Sequence, residues 1–377
     1  MNDGGRWVDR AEELERAAAG LAGVPALALD TEADSFYHYF HKCCLIQIAG
    51  GEDVLLVDPL ALKDLAPLGR VLGSPAILKV LHAAEQDVLY LRRDHAIHLR
   101  PLFDTMIAAQ LLGKPAVGLA SLLEAYFGVR LDKTSQRDDW SRRPLSERQR
   151  RYATEDVRHL LGLAERLRDE LRAAGRLEWA AEEFELVAER AWEPRGFDPA
   201  AFWGIKGAKD LPPREAALLR EFYVMREERA SQADVPPFRI ASDETLLLVA
   251  RKQPRRPADL NGLKGMTPLV RRRLGAEILV AAERAATLPE EALPVPPRGV
   301  AGRRKNAAAR HRLERLREWR RERAAALGIE PGVLFPLATL EALAVEGMEG
   351  LNRVEGIPGL RRWRRGLLEP DAARLLA

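Results

Sequence analysis

The stretch "ALALDTEADS", residues 26–35, runs four apolar residues into two carboxylates, Asp30 and Glu32. The apolar run reads as a buried strand. Residues two apart on a strand point to the same face, so the two carboxylates stand side by side. Like charges that close raise each other's pKa and oppose folding unless a metal ion or an Arg or Lys partner lies between them. A solvated strand end is the plain alternative, and the rest of the chain must decide.

Two more apolar runs follow, "CLIQIA" at 44–49 and "DVLLVDP" at 53–59, separated by Gly50, Gly51 and Glu52, a hairpin signal. Then "ALKDLAPLGRVLG" reads as helix, "AILKVLHA" (76–83) as strand and "AEQDVLYLRRDH" as helix. Asp104 in "PLFDTMIAAQLLG" stands where it caps the next helix, and Asp58 reads as a strand-end residue. "GLASLLEAYFG" is helical. After the polar loop "LDKTSQRDDWSRRP", a long helix begins near Ser146, with Ser146 and Gln149 spaced as a capping box. Hairpin strands first, then strands alternating with helices, imply an α/β domain: a mixed sheet flanked by helices.

The chain's 377 residues allow two or three domains, and a hydrophobic content of 47% allows a sizeable core. Its two cysteines are adjacent, Cys43 and Cys44, which excludes a disulfide framework or a zinc pattern. The beginning "MNDGGRWVDRAEEL" has no apolar core of a signal peptide, and no stretch reaches the length of a membrane span. The expectation is a cytoplasmic protein with no membrane partner.

Charge is uneven. Residues 1–190 carry 25 Lys and Arg against 31 Asp and Glu, whereas residues 191–377 carry 34 against 25. A basic back half suggests a negatively charged partner. Residues 298–323, with eleven Arg and Lys against three Glu, read as a phosphate-binding run in preference to a solvated helix face.

The back half is helical and internally repeated. "WEPRGFDPAAFWGIKGAKDLPP" (192–213) reads as a connector that packs, and 287–303 as a Pro-rich linker. "VMREERASQADVPP" (224–237) lines up with "EWRRERAAALGIEP" (318–331), 94 residues on. Thr245-Leu246 matches Thr339-Leu340 at the same offset, while "LNGLKGM" (260–266) matches "LNRVEGI" (351–357) 91 residues on. Two copies of a small helical bundle result, the first with three extra residues around "KQPRRP". Asp243 of the first copy becomes Leu337 in the second, within the more apolar "GVLFPLATL". The first copy is therefore the expected contact for the negatively charged partner, and the second is expected to pack against another domain.

Two further acidic sites complete the front half. Asp87 in "VLHAAEQD" lies just after a strand, and Tyr152 and Asp156 in "RRYATEDVRHLL" lie four apart on one helical face. Asp156 borders the apolar residues Val157, Leu160 and Ala164, so it is partly buried and needs a partner. A cation shared with Asp30 and Glu32 is one. Four carboxylates holding two hard cations, Mg²⁺ or Mn²⁺, make a phosphoryl-transfer site. A tyrosine hydroxyl there can orient the attacking water.

"DTE", "HAAEQD" and "YATED" resemble, in order and spacing, the three motifs of the DEDD exonuclease superfamily, and Tyr152 four residues before Asp156 marks the DEDDy branch. The surrounding text resembles the ribonuclease D family, and the helical repeats resemble its paired HRDC domains. The resemblance implies a ribonuclease-H-like exonuclease domain over 1–190, a connector at 191–212, HRDC domains at 213–287 and 304–377, and a linker at 288–303. It implies trimming of RNA from the 3′ end, especially tRNA precursors with 3′ extensions, with release of 5′-monophosphates. Carried over to this sequence, Asp30, Glu32 and Asp156 hold the metal that activates water. Asp30 bridges to a second metal, Asp87 supports that metal, and Tyr152 positions the nucleophile. His82, Lys133 and Arg137 are candidate substrate contacts. Trp140 reads as a packing residue. A 3′–5′ DNA exonuclease and a catalytically weak RNA-binding protein are the competing readings. A monomer is expected.

Overall fold

Six strands form one mixed sheet: β1 (Arg6–Val8), β2 (Ala26–Ala33), β3 (Cys43–Ala49), β4 (Val54–Val57), β5 (Leu78–Leu81) and β6 (Leu102–Asp104), in the order β1-β4-β3-β2-β5-β6. The structure is a computed structural model describing residues 4–50, 54–132, 134–193, 196–297, 307–353 and 356–377. β3 pairs antiparallel with both β2 and β4, while β1 joins β4, β5 joins β2 and β6 joins β5 in parallel. The expected hairpin pairs β3 with β4, although Gly51 and Glu52 of its turn lie outside the described residues. Leu27, Ala28 and Leu29 are fully buried, so β2 is the buried strand that its apolar run implied. β1 and β6 were not anticipated as strands. Each spans three residues, too few to show a period-two alternation.

The sheet carries α1 (Ala11–Leu21), α2 (Ala66–Leu72), α3 (Glu85–His95), α4 (Thr105–Leu111), α5 (Leu119–Phe127), α6 (Glu147–Arg158), α7 (Leu160–Ala173) and α8 (Leu177–Glu189). The capping box is present in both halves. Ser146 Oγ accepts from Gln149 N at 3.2 Å, and Gln149 Oε1 accepts from Ser146 N at 3.0 Å. That start fixes α6 across β2, β3 and β4. The long helix is two helices, divided at His159. Asp58 is more than a strand-end residue. It is buried and takes a two-pronged ion pair from Arg143, with both oxygens at 2.7 Å. Arg143 also donates to Cys44 O and Trp140 O, which pins the loop before α6 onto the sheet.

The chain divides into two units: Met1–Ala33, Cys43–Trp192 and Arg303–Ala377 in one, and Asp34–Lys42 with Glu193–Gly302 in the other. The second unit holds the first helical copy: α9 (Pro213–Gln232), α10 (Pro237–Ile240), α11 (Asp243–Lys252) and α12 (Pro268–Thr287). The connector packs as expected, burying Phe202, Trp203 and Ile205 in that copy's core. The second copy is α13 (Ala307–Leu327), α14 (Pro331–Leu334), α15 (Leu337–Asn352), α16 (Arg362–Leu368) and α17 (Ala372–Leu376).

The repeat is real at atomic detail. Arg226 Nη1 donates to Ala241 O, and Arg320 Nη1, 94 residues on, donates to Phe335 O, again 94 residues on. Gln253 and Gly347 both have positive φ, and Gly265 and Gly359 both lie under the threonines Thr245 and Thr339. The offset of 94 thus also sets Gly265 on Gly359, where the match of "LNGLKGM" with "LNRVEGI" sets it on Gly356.

The second copy packs onto the nuclease sheet's own helices, within one continuous core. Trp363 stacks on Trp179 of α8 at 4.8 Å between ring centroids. Arg364, 5% exposed, pairs with Glu183 of α8 at 2.5 Å. Arg176 donates to Leu327 O at 2.6 Å. Part of the basic run has a structural task. Its residues 298–306 lie outside the described set, while Arg312, Arg315 and Arg320 donate to the backbone carbonyls of Ala344, Leu375 and Phe335. Those arginines hold the copy together.

Gly113, after α4, has φ +70°, and a Cβ there would lie 1.6 Å from Gly328 O, a backbone atom that cannot yield. Gly113→Ala is expected to cost at least about 2 kcal/mol and to loosen the second copy. Gly366→Ala, in open space within α16, should be neutral or stabilising. Denaturant melts and protease cleavage within residues 307–377 measure both.

Candidate active site

β2 delivers Asp30 and Glu32 from its end, and α6 delivers Tyr152 and Asp156 from one face. Asp87 sits in the first turn of α3. Asp30, Glu32 and Asp156 each offer an oxygen within 4.8 Å of the others. They line a cavity of about 370 Å³ together with Thr31, His82 and Tyr152. Asp87 stands outside this group of three. It is buried and accepts a hydrogen bond from Thr31 Oγ1, between the two β2 carboxylates in sequence, at 2.6 Å. In the β2–β3 register Asp30 lies opposite Gln47 and Glu32 opposite Leu45, and the ladder is irregular just after Glu32. The register shifts there and pairing resumes at Ala33 opposite Cys43, so the ladder is bent next to the carboxylates.

The electrostatics are those of a site that lacks positive charge. Burial, then the charges of Asp87, Asp156 and Glu32, push the Asp30 carboxyl well above the usual range. Burial and Asp156 do the same to Glu32. Burial raises Asp87 to about 7 and Asp156 to about 6. Among the described residues no Lys or Arg forms an ion pair with any of the four. An all-oxygen, acidic donor set with no internal counter-charge fits hard divalent cations. Tyr152 is hydrogen-bonded to Asp156, and burial followed by that carboxylate's charge raises the phenol's pKa, so it stays protonated.

His82 lines the cavity and its Nδ1 lies 2.9 Å from Thr105 Oγ1. That hydroxyl donates to Leu81 O, so it accepts from His82 Nδ1–H, which leaves Nε2 as an acceptor. Burial lowers the His82 pKa, and the ring is neutral. Lys133 lies outside the described residues. Arg137 is exposed on the loop whose Asp132 and Gln136 line the cavity. Asp104 caps α4 as expected, and it also accepts from Ala83 N and Ala84 N, which holds the turn between β5 and α3. Trp140 is buried and packs against Tyr152 at 6.0 Å. Sequence reasoning missed Gln136, Asp132 and Thr31. Thr31 stands inside the "DTE" motif, and Asp132 and Gln136 lie next to the candidate contacts Lys133 and Arg137 in sequence.

Comparison with known proteins agrees with this geometry. The family description "3′-5′ exonuclease" matches residues 5–172, and "HRDC domain" matches 215–281 and 309–366. A ribonuclease D of Granulibacter bethesdensis is 34% identical over 98% of this chain and 91% of its own. The chain belongs to the ribonuclease D family. The Escherichia coli ribonuclease D is 38% identical over 76% of each chain. Its crystal structure superposes with a TM-score of 0.74 at 31% identity, covering 100% of this chain and 99% of that one. The catalytic core of RRP6 from Trypanosoma brucei superposes with a TM-score of 0.67 at 28% identity, covering 75% of this chain and 80% of that one. The chain is a 3′–5′ exoribonuclease with a mixed-sheet nuclease domain and two helical HRDC domains. Its exonuclease fold family is metal-dependent. Among the described residues no helix is long and apolar enough to cross a membrane.

A carboxyl whose pKa is higher folded than unfolded binds more protons in the folded state, so its contribution to stability falls as pH rises. For Asp156 and Asp87 the loss runs from the ordinary carboxyl range, about pH 4, up to about 6 and about 7. In EDTA the protein is therefore expected to melt at a lower temperature at pH 8 than at pH 5. Added Mg²⁺ or Mn²⁺ should raise the melting temperature more at pH 8. Calorimetric scans at both pH values, with and without cation, test this. Equal shifts at both pH values contradict it.

Proposed function

We propose that the chain shortens RNA from the 3′ end one nucleotide at a time through Asp30, Glu32, Asp87, Tyr152 and Asp156. On this reading the substrates are tRNA precursors and other structured RNAs, and the products are 5′-monophosphates. The carrying observation is the convergence of three carboxylates to within 4.8 Å beside a protonated tyrosine hydroxyl. The Escherichia coli relative is described as an exoribonuclease involved in structured RNA processing, which supports that substrate class. The reading takes the chain as a monomer in the cytoplasm.

Asp30, Glu32 and Asp156 would hold one divalent cation, with Asp30 and Asp87 at a second; Mg²⁺ or Mn²⁺ suits the donors. Such ions, when bound, lower the pKa of a water and offset charge developing on the phosphoryl oxygens and the leaving 3′-oxygen. The protein's part is positional. Tyr152 donates to Asp156, and its oxygen remains an acceptor for an O–H of the attacking water. Because the phenol stays protonated, it orients the nucleophile and is not the base. His82 offers Nε2 to the substrate, and Arg137 and Lys133 meet its phosphates from the loop before α6.

A 5′-labelled tRNA with a 3′ extension tests the proposal. Incubation with Mn²⁺ or Mg²⁺ should give a ladder of single-nucleotide steps that EDTA abolishes. Asp30→Asn and Asp156→Asn should each lower kcat by at least about a thousandfold, with RNA affinity within a few-fold. Tyr152→Phe should lower kcat by about ten- to a hundredfold. Internal cuts, or full activity in Asp30→Asn, overturn the mechanism.

A further inference from the structure

The nine residues 34–42, "DSFYHYFHK", leave β2 two residues past Glu32 and return as β3. They are closed at the neck by Asp34, which is fully buried and accepts from Lys42 N at 2.7 Å and Lys42 Nζ at 2.6 Å. The tip is held by the first HRDC domain. Asp234 accepts from Tyr39 N and Phe40 N at 3.1 Å each and lies 2.7 Å from His38 Nδ1. Arg239 lies over the Tyr37 ring at 4.6 Å, and the Tyr39 hydroxyl bonds Glu227.

Asp234 has φ +46°, at the left-handed turn that ends α9. The matching residue 94 positions on is Gly328, φ +63°, at the end of α13. Both turns close the same way, Val235 N to Ala230 O and Ile329 N to Ala324 O. Glycine is the unstrained occupant of that conformation, and in the second copy it lets the backbone approach Gly113. Aspartate is strained there, and in the first copy its carboxylate holds the loop tip. Strain kept at one copy of a repeat points to a task specific to that copy.

The task is suggested by what the loop exposes. Phe36 is 47% exposed and Phe40 62%, and Phe238, next to Arg239 on α10, is 56% exposed. Arg239 is itself exposed and supplies the cation. Phenyl rings beside cations are what a single RNA strand requires: π-faces for the bases and positive charge for the phosphates. In the second copy the residues matching Phe238 and Arg239 are Gly332 and Val333, so it has neither.

We propose that residues 34–42 and 237–240 form a base-stacking platform for the single-stranded 3′ region of the RNA, with Asp234 as the positioning residue that fixes its shape. The proposal rests on the exonuclease reading and adds the contact that grips the strand.

Full-length protein with Mn²⁺ is assayed on a single-stranded 3′-tailed RNA and on the same tail with abasic residues. Phe36→Ala/Phe40→Ala is expected to raise KM on the normal tail about fivefold or more, with little change in kcat, and to match the wild type on the abasic tail. Asp234→Ala should raise KM in the same way. Asp234→Asn, which keeps an oxygen for Tyr39 N and Phe40 N, should restore it. In the wild type, a tail bearing 5-iodouridine should photo-crosslink within residues 34–42 or 237–240, a readout independent of any variant's folding. Unchanged KM in the double variant, an equal KM rise on the abasic tail, or crosslinks only elsewhere overturns the platform and leaves the exonuclease reading standing. A wild type that makes no ladder on either RNA overturns the exonuclease reading instead.

Discussion

Like charges held together govern this structure. Asp30, Glu32 and Asp156 are brought to within 4.8 Å, with Asp87 close enough to raise Asp30 and Glu32 further, and without positive charge of their own. Nothing in that cluster favours its own assembly, so the surroundings must impose it. The capping box at Ser146 starts α6 in the right place. The Arg143–Asp58 pair ties the preceding loop to the sheet. Asp104, capping one helix and holding the turn into another, sets the course of α3. Each of these is a satisfied polar anchor at the edge of an apolar core, and each offsets strain created at the centre.

The duplicated helical domain shows how one fold takes two tasks. The arginine that ties the first helix to the next segment is kept in both copies, as Arg226 and Arg320. In the first copy it also pairs with Asp243 at 2.6 Å, the position that Leu337 fills in the second. The second copy trades polar surface for packing, and its Trp363 and Arg364 bind the nuclease helix α8. A duplicated core is preserved while its faces diverge.

Much of this was legible because it is local. The "DTE" strand end, the Tyr152–Asp156 spacing and the Ser146–Gln149 box each span a few residues, and the physics of one strand or one helix turn determines them. Asp104 as a cap was legible for the same reason. What escaped is long-range or short of pattern. Asp58 looks like any strand end until Arg143, 85 residues on, is seen on it. β1 has three residues and no period. The arginines of α13 count as charge in a sequence and as carbonyl donors in the fold. Residues 34–42 belong by sequence to a strand connection, and by contact to a helical unit whose sequence starts at Glu193.

The stacking of Trp363 on Trp179 has a consequence for synthesis. A chain made from its N-terminus completes the sheet and α8 long before Trp363 is translated. Until then the apolar face around Trp179 has no cover, and Glu183 has no arginine. The nuclease is therefore the first part to be made and among the last to be closed. Over that interval the growing chain presents the kind of surface that chaperones bind and that drives aggregation.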